Sequence, residues 1–238
     1  MDILKLNSIS KLANPVLEGY NLTDNSQNPV GILVRSFKMD EYEVPSSLLA
    51  VARAGAGVNN IPHAEYAKKG ICVFNTPGAN ANAVKELVIA GLLLSSRKIP
   101  AAMDWIKTLK GKGDEVGKLV EKGKSQFVGP EIMGKKLGVI GLGAIGILVA
   151  NAAAELGMDV YGADPYLSVE NALKLSGKVH YVKSNKEIFE KCDYITLHVP
   201  ALPDTKGMIN AEAIASMKKT VRLLNFARDT LVDEKAII

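Results

Sequence analysis

The chain has 238 residues, 47% hydrophobic but only 5% aromatic, with 29 Lys and Arg against 25 Asp and Glu for a formal net charge of +4. That is enough chain for one large or two modest domains with aliphatic cores, and so mild a charge excludes the strongly basic arm of a nucleic-acid binder. The longest apolar run, residues 87–94, is too short and interrupted to span a bilayer, and no cleavable signal pattern opens the chain. The two cysteines, Cys72 and Cys192, form no CxxC or His/Cys cluster, so they read as buried thiols in a reducing compartment, with no metal and the cytoplasm as default.

From residue 1 to about residue 98, short β segments alternate with helices, with strands expected at 3–6, 31–35, 49–53 and 71–75, each followed by polar or Gly/Pro punctuation. Residues 81–109 read as a long helical stretch in which Val84, Leu87, Val88, Gly91 and Leu92 recur at helical spacing, with a break near Pro100. This stretch is expected to connect two domains, 1–98 and 99–238. Residues 107–124 hold most of the surplus lysine with acids interleaved, which reads as a solvated face or loop. From residue 134 onward, strands at 137–141, 159–163, 180–183, 194–198 and 221–226 alternate with helices of about ten residues, the pattern of a doubly wound parallel, Rossmann-like sheet.

Within that second pattern, Gly141, Gly143 and Gly146 sit where a buried strand turns into a helix expected at 144–156. The first glycine permits the turn, the second admits a diphosphate close to the backbone, and the third lets helix and strand touch, while unpaired helix amides, opening with Ala144 and Ile145, face the anion. Asp164 ends the next strand, 18 residues past Gly146. A carboxylate there accepts from both ribose hydroxyls and repels a 2′-phosphate, which favours NAD over NADP.

In open parallel sheets ligands sit beyond the carboxyl ends of the strands. Three further places qualify. His198, Val199 and Pro200 follow one strand, with residues 202–207 forming a loop able to cover the nicotinamide side. Ala227 and Arg228 follow another and bring a guanidinium to the crevice. In the first domain, Arg53, Ala54, Gly55, Gly57 and Asn59 form a strand end and a glycine-rich turn whose amides suit a carboxylate.

Five segments in this order, 53–60, 75–86, 137–146, 198–200 and 224–234, resemble the D-isomer-specific 2-hydroxyacid dehydrogenases, and the resemblance covers essentially the whole chain. It implies NAD as cofactor and a small anionic hydroxy acid as substrate. Residues 1–98 would then be the N-terminal part of a flavodoxin-like α/β substrate domain, and the cofactor domains would pair in a homodimer with the helix from Ala81 at the interface. Arg228 matches the family's arginine, which binds the carboxylate and polarises the C2 oxygen. Asn80 and Val84 border the nicotinamide, Thr205, Phe226 and Ala227 lie by the cofactor, and residues 55–59 supply substrate-binding amides.

The family's catalytic Glu and His have no counterpart here, since both fall past residue 238, and the chain reads as a fragment. His198 matches the cofactor loop; His63 and His180 read as surface or core residues. Two departures stand out: Ala144 where relatives carry an arginine against the diphosphate, and Asp229 after Arg228 where glycine is usual. The leading expectation is oxidation of a phosphorylated 2-hydroxy acid, with Arg35, Lys38 and Arg97 as candidate cations for the phosphate. Glycerate, lactate or formate as substrate, or a non-catalytic NAD-sensing scaffold, are the alternatives.

Overall fold

A computed structural model describes all residues from Met1 to Ile238. The expected alternation of aliphatic strands with helices is the alternation observed, and every strand pairs in parallel. The chain divides into two compact units, 1–80 and 81–238.

The first unit runs β1 (Asp2–Leu6), α1 (Ala13–Val16), β2 (Asn21–Thr23), β3 (Gly31–Val34), β4 (Ala50–Arg53), α2 (His63–Lys68) and β5 (Cys72–Phe74). Its five strands lie in the order β2-β1-β3-β4-β5. Strand alternation buries Leu4, Ile32, Val34 and Val51, and Met39, Leu48, Ile61, Tyr66 and Ile71 close over them. β2 is absent from the sequence expectation because three residues with a single aliphatic side chain carry no periodicity. Cys72, expected buried, is exposed because β5 is an edge strand.

The second unit opens with α3 (Ala81–Arg97), α4 (Ile99–Lys107) and α5 (Val116–Gly123). It continues through β6 (Lys136–Ile140), α6 (Ala144–Glu155), β7 (Asp159–Ala163), α7 (Val169–Lys174), β8 (Val179–Tyr181) and α8 (Asn185–Lys191). β9 (Tyr194–Leu197), α9 (Ala211–Ser216), β10 (Arg222–Asn225) and α10 (Glu234–Ile237) complete it. The sheet order is β10-β9-β6-β7-β8, so β6 and β9 flank the point where the winding reverses.

Opposite faces of this sheet bury separate sets of side chains. Leu137, Val139, Val160 and Leu224 pack with Val88 and Leu92 of α3 and with Ile147, Val149, Ala150 and Ala153 of α6. Ile140, Ile195 and Leu197 pack with Ile188 and Phe189 of α8 and Ala213 of α9. Each such fully buried aliphatic side chain is worth roughly 1.5–3 kcal/mol relative to exposure.

The stripe of α3 that faces α6 is the reason α3 packs with the second unit, whereas the division expected at residue 98 assigned it to the first. Leu87, on the same expected stripe, is 57% exposed. The break falls at Lys98, which adopts a left-handed conformation, and Pro100 sits in the first turn of α4. A proline there begins a helix instead of breaking one, since the amide it lacks has no intrahelical partner at that position. No helix is long and apolar enough to cross a membrane.

Candidate active site

At the end of β6 the backbone turns at Gly141 with φ +93°, and a side chain there would meet the His198 carbonyl at 2.7 Å. Gly146 lies against the Gly141 carbonyl so closely that a Cβ would fall 1.8 Å from it. Gly143, between them, has nothing within 4 Å of where its Cβ would stand. The loop is thus tight against the protein on two sides and open on the third.

What the open side presents is set by the helix. α7, α8 and α9 are capped by the side chains of Ser168, Ser184 and Asn210, which accept from amides of the first turn. The residue preceding α6 is Gly143, and no side chain caps that helix. Its first-turn amides keep their hydrogens, and twelve residues of aligned peptide dipoles stand behind them. This fits a diphosphate, and exposed Ala144 leaves the task to backbone amides alone.

Asp164 is fixed before any ligand arrives. Leu142 N–H donates to Oδ2 and Tyr166 N–H to Oδ1, both at 2.8 Å. Held in this way at the end of β7, the carboxylate retains lone pairs for a ribose. Tyr181 Oη donates to the Asp164 carbonyl at 3.0 Å and ties the turn to β8.

Beyond β9, His198 Nε2 lies 3.0 Å from Thr196 Oγ1, whose residue is fully buried. Burial pushes the His198 imidazole down to about 4, so it is neutral near pH 7 and a poor proton acceptor. Val199 packs into the core, and Pro200 is exposed. Thr205 holds the following loop: its Oγ1 donates to the Pro200 carbonyl at 2.6 Å and accepts from Leu202 N–H at 2.8 Å. His63 begins α2, and His180 pairs with Asp159 at 3.0 Å on β8.

After β10, Asn225 shapes the turn, its Nδ2 donating to the Arg228 carbonyl at 2.7 Å and its Oδ1 accepting from Ala227 N–H at 3.0 Å. Arg228 is exposed and its Nη1 donates to the Ala227 carbonyl at 2.8 Å. Asp229 forms no ion pair with it; that carboxylate accepts from Thr230 N–H at 2.8 Å instead. The Phe226 ring lies over α3, where a side chain at Gly91 would stand 3.2 Å away. Val84 of α3 packs at the edge of the core, and Asn80 is exposed at the end of the first unit.

In the first unit, Ala54 N–H donates to the Val34 carbonyl at 2.8 Å, and Gly55 N–H to Thr76 Oγ1 at 2.8 Å. Two of the amides expected for substrate are therefore occupied, and the five from Ala56 to Asn60 have no acceptor in the chain. Arg53 Nε donates to the Arg35 carbonyl at 3.1 Å and Nη1 to the Gly57 carbonyl. The sequence reading missed Asn75, Thr76, Thr196 and Asn225, whose signal is a short polar side chain at or just past a strand end.

A doubly wound parallel sheet, a glycine turn into an uncapped helix at the winding reversal and a fixed acid ending the next strand define a dinucleotide-binding domain. Residues 89–238 match the family model for the NAD binding domain of the D-isomer specific 2-hydroxyacid dehydrogenases. The chain belongs to that family, and NAD is the cofactor of the domain.

It is 40% identical over 198 residues to a D-3-phosphoglycerate dehydrogenase of Methanocaldococcus jannaschii, covering 83% of this chain and 35% of the relative. It thus spans about a third of that curated relative's length, 35%. An NAD+-bound 3-phosphoglycerate dehydrogenase of Entamoeba histolytica superposes with a TM-score of 0.76 at 28% identity, covering 100% of this chain and 75% of that one. A D-lactate dehydrogenase of Aquifex aeolicus, complexed with NAD and lactic acid, gives 0.78 at 27% identity, covering 100% and 72%.

Proposed function

We propose that this chain is the cofactor-binding and substrate-anchoring part of an NAD-dependent dehydrogenase acting on a phosphorylated 2-hydroxy acid. The reaction is oxidation of 3-phosphoglycerate to 3-phosphohydroxypyruvate, the step that opens serine biosynthesis. The single observation that carries the reading is the uncapped α6 with its glycine turn, set beside an Asp164 already held by two backbone amides. Bound NAD supplies the acceptor for the hydride that leaves C2.

Each residue then has one task. The amides that open α6 hold the diphosphate, and Asp164 takes the ribose hydroxyls. Val84, Asn80, His198, Val199, Pro200, Thr205, Phe226 and Ala227 line the cofactor, Thr205 by fixing the loop that covers it. Arg228, a permanently charged planar fork that no acid neutralises, binds the substrate carboxylate and polarises the C2 oxygen. In the first unit, amides of the 53–60 turn serve as a carboxylate anchor, and Arg35 and Lys38 are the candidate cations for the phosphate. With His198 desolvated against Thr196, His180 paired to Asp159 and His63 at the start of α2 beside the Ile61 carbonyl, none of these three histidines is assigned the role of proton acceptor.

The first unit's strand order matches that of flavodoxin, which supports a flavodoxin-like substrate domain. Exposed Leu87, Leu93 and Leu94 on α3 and Met103 and Ile106 on α4 support pairing of two copies through this region. Two free thiols suit the cytoplasm.

Titration of the chain with NADH and with NADPH tests the cofactor assignment. Quenching or enhancement with NADH alone is expected, and equal affinity for both would sink the role given to Asp164. Turnover of 3-phosphoglycerate against glycerate, measured in a form that includes the proton acceptor, separates the phosphorylated substrate from glycerate. A preference for glycerate would refute the phosphate assignment.

A further inference from the structure

The turn after β4 has a feature that glycine content alone does not explain. Three successive carbonyls, those of Gly55, Ala56 and Gly57, are all gripped from within the first unit. Thr76 N–H donates to the Gly55 carbonyl at 3.0 Å, Asn75 Nδ2 to the Ala56 carbonyl at 2.7 Å, and Arg53 Nη1 to the Gly57 carbonyl. Every peptide bond of the chain is trans, and in a trans peptide the N–H points opposite to the carbonyl it is bonded to. Gripping these three carbonyls therefore turns the N–H groups of Ala56, Gly57 and Val58 away from the three donors. These three, with the Asn59 and Asn60 amides that follow them, donate to nothing in the chain. The neighbouring Gly55 amide is removed from the set by Thr76 Oγ1 at 2.8 Å.

We propose that Arg53, Asn75 and Thr76 are positioning residues that aim the amides of Ala56, Gly57 and Val58 at the substrate carboxylate, acting through the loop and without touching the ligand. The proposal rests on the reading of residues 53–60 as the carboxylate anchor. It changes the part played by Arg53, which the sequence alone assigns to the substrate. Its guanidinium bridges the turn to the carbonyl of Arg35 at 3.1 Å, so it also ties the end of β4 to the segment after β3. Asn60 Nδ2 reinforces that tie by donating to the Phe37 carbonyl at 2.7 Å. Amides held in advance need no ordering when the anion arrives, which is where preorganised donors gain over a flexible loop.

The test uses the 238-residue chain labelled with 15N and titrated with D-glycerate, whose carboxylate end is isolated from any phosphate contribution. In the unsubstituted chain the amide signals of Ala56, Gly57 and Val58 are expected to move together on titration. Asn75→Ala, which alters no charge, is expected to weaken binding about tenfold and to change the hydrogen exchange of these amides even without ligand. Arg53→Gln, whose amide reaches only as far as the arginine Nε, keeps a donor for the Arg35 carbonyl and loses the grip on Gly57, so it and Arg53→Ala are both expected to weaken binding and to change the hydrogen exchange of the Val58 amide without ligand.

Losses in the Arg53 variants that leave the ligand-free exchange of the three amides unchanged, with Asn75→Ala binding normally, would make Arg53 a direct ionic ligand and overturn the proposal. No movement of the three amides in the unsubstituted chain would instead remove the anchor reading, and the proposal with it. Should Asn75→Ala fail to fold, Asn75→Ser and the two Arg53 variants decide the same question.

Discussion

The two glycine-rich turns of this molecule solve one problem by different means. Both follow the carboxyl end of a parallel strand, and both leave backbone amides without partners. At residues 141–146 the amides belong to the first turn of a helix, so their direction is fixed by the helix itself and the loop is wedged against backbone: the His198 carbonyl at Gly141 and the Gly141 carbonyl at Gly146. At residues 53–60 no helix follows directly, and the direction of the amides depends on two side chains and one neighbouring backbone amide that hold the carbonyls. A helix-built anion site is rigid because backbone meets backbone. A side-chain-built site is held by groups that can move.

The sharpest way to break this comparison is to add one methyl group to each turn. In Gly146→Ala the new Cβ falls 1.8 Å from a carbonyl oxygen that cannot retreat without unwinding the start of α6. Stability is expected to fall by about 3 kcal/mol or more, and NADH affinity about 100-fold, as read by urea unfolding and calorimetry. Retained NADH affinity in a folded Gly146→Ala chain would end the argument for a backbone-enforced cradle. In Gly55→Ala the nearest obstacle, at 2.7 Å, is Nη1 at the far end of the Arg53 side chain. Arg53 can swing aside, but Gly55 has φ +158°, so backbone strain adds to the cost, which should be about 1–2 kcal/mol, or about 3–6 °C in melting temperature.

Between these two effects lies one confined to the cofactor side. His198 is about 4 in the folded chain against an ordinary 6.5, lowered by burial. The unfolded chain therefore binds more protons between those values. The stability given by the neutral imidazole is complete above pH 6.5 and is lost as pH falls towards 4. The loss from this one group reaches at most about 3 kcal/mol. Denaturant unfolding at pH 7 and at pH 4.5 should show a smaller acid-induced drop in His198→Gln than in the unsubstituted chain. Identical drops would mean that the imidazole is already solvated or charged in the fold.

The comparison also explains what the sequence made legible. The 141–146 turn and Asp164 were readable because a strand, three glycines and a strand-ending acid impose their geometry locally and at fixed spacing. The strands β6, β7 and β9 were readable because each is a short, mostly apolar run between turns. The organisation of the 53–60 turn was not, because its donors Asn75 and Thr76 lie about twenty positions away and reach it only once β4 and β5 pair. For the same reason the bonds of Arg53, a substrate-binding candidate from the sequence, to the carbonyls of Gly57 and Arg35 have no local sequence signal. β2 carried too few apolar residues to register. The position of Pro100 was legible, but its meaning depended on whether a helix ended or started there.

A third strand end, after β10, belongs with the side-chain-held turn, and it gives the smallest expected effect. Asn225 grips both the Arg228 carbonyl and the Ala227 amide, so the conformation of this turn is set before residue 229 is reached. Asp229 is exposed, and only Asn7 and Lys98 among non-glycine residues have positive φ, so nothing in its backbone calls for glycine. Its carboxylate accepts from Thr230 N–H and leaves Arg228 alone. Asp229→Gly removes one exposed hydrogen bond and adds freedom to the unfolded chain, so the loss should stay within about 0.5–1 kcal/mol. The salt dependence of carboxylate binding should barely change, since a fully solvated charge is screened. A gain of tenfold or more in affinity at low salt would show that Asp229 repels the acid substrate from Arg228, and would make this turn electrostatic where the turn after β4 is positional.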